Sequence, residues 1–150
     1  MNSNRGGLCI YIIACTFALC STQSVFAQTN PEPCKMLTQA EVSAATGVSV
    51  GAGQSLGGTC SWSGTPKVIV SLWYPGPALW AGIQHPNPPV SQTPASGVGD
   101  AAFYNTLGAF TSLGVQKGST VFVVKIYGIA DPSKQMAIEK ALAANVIAKM

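Results

Sequence analysis

The placement of five cysteines constrains this 150-residue chain more than any other feature. Three of them, Cys9, Cys15 and Cys20, fall inside an N-terminal segment with the grammar of a cleavable signal peptide: Arg5, an apolar run from Leu8 to Leu19, then a polar stretch ending Val25-Phe26-Ala27. Cleavage after Ala27 assigns residues 1–27 to the signal peptide and leaves Cys34 and Cys60 as an even pair in an oxidising compartment. A disulfide between those two is therefore expected. Closing a loop of that length is worth about 3 kcal/mol in the chain-entropy view. Removing 27 of 150 residues leaves 123, enough for one core with a net stability of ~5–15 kcal/mol, so one cross-link is a sizeable part of the total.

The 12-residue apolar run is short of the ~20 that a membrane-spanning helix needs, so no transmembrane anchor is expected in the mature chain. The competing reading is a lipoprotein acylated at Cys15, because Ile12-Ile13-Ala14-Cys15 loosely fits the pattern before a lipidated cysteine. That cut leaves an apolar run of only seven residues and an unpaired Cys20. Cleavage after Ala27, and an extracytoplasmic location, periplasmic or secreted, is the reading carried forward.

The mature chain holds seven Lys, no Arg and five acidic residues, a net charge of 7 − 5 = +2. There is no basic stripe, and without Arg the bidentate fork that phosphate and guanine recognition favour is absent, so nucleic-acid binding is not expected.

Residues 28–33 form a short polar leader, and residues 34–150 read as a single α+β domain. Thr38-Gln39-Ala40-Glu41 is a capping box with Leu37 and Val42 placed as a hydrophobic staple, and Gly47 supplies the stop, which predicts a helix over 39–46. Residues 59–63 and 67–74 read as strands around a Gly64-Thr65-Pro66 turn. Residues 77–84 carry weak signals for a short helix. Residues 86–97 are proline-rich and read as an ordered crossing loop, poor for a central strand. Strands are expected near 101–104, 109–115 and 120–127, the last two joined at Lys117-Gly118. Asp131 then caps a final helix with Pro132 at its first position.

That helix has a bulky row (Ile138, Leu142, Val146, Met150) and an alanine face (Ala137, Ala141, Ala144, Ala148). Burial on both sides is expected, the alanines close against a sheet and the bulky row meeting something else. The runs 68–74 and 121–127 share three identities in seven positions, which leaves an internal duplication open. The helix, strands, helix order predicts an antiparallel sheet of about five strands with N- and C-terminal helices packed on it.

Catalytic and cofactor chemistry is sparse. His85 is the only histidine, no Gly-x-Ser-x-Gly elbow is present, and the two mature cysteines are far apart in sequence, so neither a nucleophilic triad nor a metal site is indicated. Among the carboxylates, Glu41 and Asp131 have capping roles, leaving Glu32, Asp100 and Glu139 without a pairing. Gly51 to Gly57 lacks the third glycine and the strand-loop-helix context of a dinucleotide site and reads as a turn. No cofactor is expected. Trp62, Trp73 and Trp80 lie within 19 residues with Tyr74 beside them, and strand alternation puts Trp73 on the face opposite Leu72 and Tyr74. Trp73, Tyr74 and Trp80 are the candidate ligand surface, although core packing is the ordinary fate of such aromatics.

Four motifs in order, Pro33-Cys34-x-x-Leu37-Thr38-x-x-Glu41-Val42, Cys60-x-Trp62, Gly97-Val98-Gly99-Asp100-Ala101-Ala102 and Leu113-x-Val115-x-Lys117-Gly118, resemble a group of small exported bacterial proteins, many of them lipoproteins, whose function is unknown. The resemblance implies a compact α+β domain whose disulfide links the first helix region to an early strand. It imports no catalytic residue. The expectation is a non-catalytic binding or accessory domain for a glycan, a lipid or a protein partner; the alternative is a small secreted hydrolase using Asp100 with His85.

Overall fold

The computed structural model describes residues 31–150. The expected signal peptide, the acylation alternative at Cys15 and the first half of the leader lie outside the described residues.

The chain begins with a single helical turn, α1 (Pro33–Met36), followed by α2 (Gln39–Thr46). The capping box forms as its sequence requires: the Thr38 hydroxyl accepts from the Glu41 amide, and the Glu41 carboxylate accepts from the Thr38 amide at 2.7 Å. Leu37 and Val42 are fully buried, and Gly47 ends the helix in the left-handed conformation that spares glycine a Cβ clash.

Seven strands follow: β1 (Gln54–Leu56), β2 (Thr59–Gly64), β3 (Val68–Trp73), β4 (Ser91–Pro94), β5 (Ala101–Leu107), β6 (Phe110–Lys117) and β7 (Thr120–Tyr127). They form one antiparallel sheet in the order β1-β2-β3-β7-β6-β5-β4, seven strands where about five were expected. The two additions are edge strands. β1 is three exposed residues joined to β2 by a Gly57-Gly58 turn, and β4 lies inside the proline-rich link, its Pro94 tolerated because an edge strand has one unpaired side.

Two meanders, β1-β2-β3 and β4-β5-β6-β7, meet where β3 pairs with β7 at the centre. The connection from β3 to β4 must cross three strands to reach the far edge. It does so over one face of the sheet, carrying a 3-10 turn (Pro77–Leu79) and α3 (Trp80–Gln84). The last helix, α4 (Pro132–Ile147), packs on the opposite, inner face; Asp131 caps it with Pro132 in its first turn.

Strand alternation sorts the core. Val70 and Leu72 of β3, Phe122, Val124 and Ile126 of β7, and Leu113 and Val115 of β6 are buried on the inner face, beneath Ile138, Leu142 and Val146 of α4. The alanine face of α4, expected against the sheet, instead faces solvent: Ala137, Ala141, Ala144 and Ala148 are exposed, while the bulky row meets the sheet with Gln135, Glu139 and Ala143. The helix is buried on one side only. Alanine faced outward satisfies helix propensity without needing a partner. The resemblance between runs 68–74 and 121–127 equates Val70 on the inner face with Val123 on the outer one, which a two-fold perpendicular to the sheet would not do.

The expected disulfide is formed: Cys34 and Cys60 join α1 to β2 across 26 residues. Gly53 must lack a side chain here, since a Cβ would stand 2.6 Å from Cys60 Sγ and 2.8 Å from Trp62 Nε1. At the other end of the chain, Lys149 Nζ donates to Met36 O at 3.1 Å and to the Glu41 carboxylate at 2.7 Å, tying the C-terminus to the N-terminal helices. No helix among the described residues is long and apolar enough to cross a membrane.

Candidate functional site

Neither surface favoured by the sequence is open. Tyr74 is buried on the inner face against Phe122, ring centroids 5.9 Å apart, and Trp80 is buried against Phe103 at the same separation. Trp62 is in the core. Trp73 does lie on the face opposite Leu72 and Tyr74, but only partly exposed, with the Lys125 ammonium 5.6 Å above its ring. Trp73, Tyr74 and Trp80 therefore form no shared platform, because the last two are buried on opposite sides of the sheet. The bulky row of α4 is buried too, apart from Met150.

Asp100 and His85 are not brought together. Asp100 precedes β5 and secures the β6-β7 hairpin, accepting from Lys117 Nζ at 2.8 Å and from the Gly118 amide at 2.7 Å. Those bonds hold its carboxyl below the usual carboxylate range. His85 caps the exposed end of α3, two residues after Ile83, whose carbonyl is bound by Asn105 toward the far end of β5. The two residues are separated by most of the strand's length, roughly 15–20 Å at the rise of a β-strand. Among the described residues, no group of three or more His, Cys, Asp or Glu could hold a metal ion.

The outer face of the sheet is the open one, and the strand register shows how it is built. Gln92, Asn105, Ser112, Lys125, Ser71, Ser61 and Gln54 are successive register partners, so a polar row crosses all seven strands with Lys125 at its centre. On one side of this row, Phe103, Gly114, Val123 and Trp73 form an apolar row, much of it covered by the crossover. Gly114 is required there because a Cβ would collide with Ile83 Cγ2. Two amides of the polar row latch the crossover: the Ile83 carbonyl accepts from Gln92 Nε2 at 2.8 Å and from Asn105 Nδ2 at 3.2 Å.

On the other side of the polar row, Leu107, Phe110, Tyr127 and Ile69 form a second apolar row that nothing covers. Leu107, Phe110 and Tyr127, at the β5-β6 hairpin end of the sheet, are 48, 55 and 40% exposed, so three large apolar side chains lie together on the surface. The Phe110 and Tyr127 rings are 5.9 Å apart and inclined at 54°. With Pro86 and Val90 of the crossover as one wall, this row and the polar floor enclose an open cleft of about 310 Å³. That lies at the lower end of small-molecule site volumes, ~300–1,000 Å³.

The floor is chemically uneven. Asn105 is already bonded to Ile83 and to Gln92, whereas Lys125, Ser71 and Ser112 make no side-chain hydrogen bond or ion pair among the described residues. Lys125 is thus a cation set in a mostly apolar cleft, held by the indole beneath it and without a carboxylate partner.

A buried polar cluster occupies the inner face beneath these same strands. Gln135 Nε2 donates to the carbonyls of Ala109, at 3.0 Å, and Ile129, while its Oε1 accepts from the Thr111 amide and stands 2.9 Å from the Thr111 hydroxyl. That hydroxyl is also 3.1 Å from Glu139 Oε1. A hydroxyl has one proton to give, so both short contacts are satisfied together only if Glu139 is the neutral acid and supplies the second proton. Burial pushes Glu139 up to about 8, against the opposing Thr111 hydrogen bond. The carboxyl is fully enclosed and is not among the residues lining the outer-face cleft, so its role is in the fold.

The sequence signal for the open face is visible in retrospect. In 120–127 the alternation places Phe122, Val124 and Ile126 on one side and Val121, Val123, Lys125 and Tyr127 on the other, so the strand's only charge and its last aromatic share a face. Comparison of the chain with protein-family models, with curated proteins and with solved structures finds no match in any of the three.

Proposed function

We propose that this is an exported, non-catalytic binding domain, and that its ligand site is the cleft on the outer face of the sheet. The observation that carries the reading is the uncovered row Leu107, Phe110 and Tyr127 beside a half-buried Lys125 whose ammonium makes no hydrogen bond or ion pair among the described residues. A monomeric domain ordinarily spends such side chains on its core or replaces them with polar ones, and convergent apolar walls with a few polar groups are the usual composition of a small-molecule site. The disulfide fits an oxidising compartment and therefore export. The resemblance of the four motifs to those of small exported bacterial proteins, many of them lipoproteins, supports the same placement and adds no chemistry of its own.

Hydrolysis by Asp100 and His85 gains no support from the geometry, since Asp100 is engaged by the β6-β7 hairpin and His85 lies toward the other end of β5. The test is binding of a neutral naphthylamine dye to the disulfide-closed protein. Enhanced emission that is lost in Phe110→Ser and Tyr127→Ser, with the fold retained, is the expected result. No binding, or binding indifferent to both substitutions, contradicts the assignment.

A further inference from the structure

We propose that the cleft takes a free monocarboxylate with a flexible apolar chain, the carboxylate on Lys125 and the chain lying along Phe110, Tyr127 and Leu107; this rests on the cleft being the binding site. Lys125 is the only cation among the residues lining the cleft. Its backbone is in register with Ser112 and Ser71 on the neighbouring strands, and Ser112, which also lines the cleft, brings a hydroxyl that can donate to a carboxylate bound there. Trp73 lies beneath the ammonium, which positions it without neutralising it. Lys125, Tyr127 and Phe110 line the same cleft, the two rings lying two residues along their strands from the Lys125 and Ser112 level, so a ligand held by its carboxylate at Lys125 can extend its chain across the floor onto those rings.

Other occupants match less well. A glycan needs many hydrogen-bonding partners and a flat ring to stack on, but Asn105 and Gln92 are committed to Ile83, and the Phe110 and Tyr127 rings are inclined at 54°. An anionic membrane surface calls for several cations on a convex patch, whereas Lys125 is one cation at the floor of a concave cleft. The volume of about 310 Å³ suits one small amphiphile.

The experiment compares octanoate with octanol, matched in chain and differing in charge, by calorimetric titration of the disulfide-closed protein, with tryptophan emission as a second readout. Octanoate is expected to bind about tenfold more tightly than octanol or better, as a charge-assisted hydrogen bond would give. Lys125→Met should erase that preference, and Lys125→Arg should retain it; circular dichroism confirms that both variants fold. Equal binding of the two probes, or a preference that survives in Lys125→Met, overturns the carboxylate assignment while the cleft remains a binding site. Binding of neither probe, nor of the neutral dye, overturns both.

Discussion

The two faces of the sheet are made by alternate residues of the same strands, yet they treat polar groups in opposite ways. On the inner face Glu139, Gln135 and Thr111 are sealed under α4 and largely satisfy one another, with the carboxyl kept neutral by burial. On the outer face Lys125, Ser71 and Ser112 stay solvent-accessible and uncommitted among the described residues, beside apolar side chains that no element covers. The difference follows from the connections. On the inner face the 16-residue α4 covers β6 and β7 and α1 sits against β2 and β3, whereas the outer face receives only a 3-10 turn and a five-residue helix, enough to cover one apolar row and leave the next bare. An enclosed polar cluster specifies packing; an open one beside apolar surface can receive a ligand.

The largest expected effect is at Glu139. Its carboxyl holds its proton more tightly in the folded state, near 8, than at the ordinary 4.5. Below pH 4.5 both states are protonated and nothing is lost. Between pH 4.5 and about 8 the unfolded chain releases a proton that the fold retains, so stability falls as pH rises, by roughly 5 kcal/mol in total at 1.36 kcal/mol per unit, and then levels off. Glu41 and Asp100 are shifted the other way, so their contributions are lost only on acidification through the low-pH range and leave the interval above pH 5 to Glu139. Chemical denaturation from pH 5 to 8.5 should show this decline in the native sequence and a nearly flat profile in Glu139→Gln. A flat native profile would mean that the carboxyl is not enclosed.

Paired truncations of phenylalanine sharpen the contrast. Phe122→Ala, on the inner face and fully buried, should cost about 3–5 kcal/mol in denaturant unfolding. Removal of the disulfide as Cys34→Ala with Cys60→Ala comes next, at about 3 kcal/mol. Phe110→Ala, on the outer face, should change stability by no more than ~0.5 kcal/mol while abolishing ligand binding. A loss of several kcal/mol at Phe110 would make the outer row structural and remove the reason for calling it a site.

Most of the fold was legible because its signals are local. Thr38 with Glu41 and Asp131 with Pro132 fix helix starts through bonds within one turn, and the β-branched runs mark β3 and β7. The edge strands were not, since Gln54–Leu56 and Ser91–Pro94 owe their pairing to a neighbour and carry no pattern of their own. The site was the least legible part. Leu107, Phe110, Tyr127 and Ile69 come from four strands and become neighbours only through register, and clustered tryptophans could not reveal which face of the sheet each would join.

The division of labour between the faces is tested most directly by mapping backbone amide shifts in a nuclear magnetic resonance titration with octanoate. The account predicts perturbations concentrated at Phe110, Ser112, Lys125 and Tyr127, with the outward-facing residues of α2 and α4 unmoved. Shifts centred on the exposed alanine face of α4, or spread evenly over the domain, would contradict it.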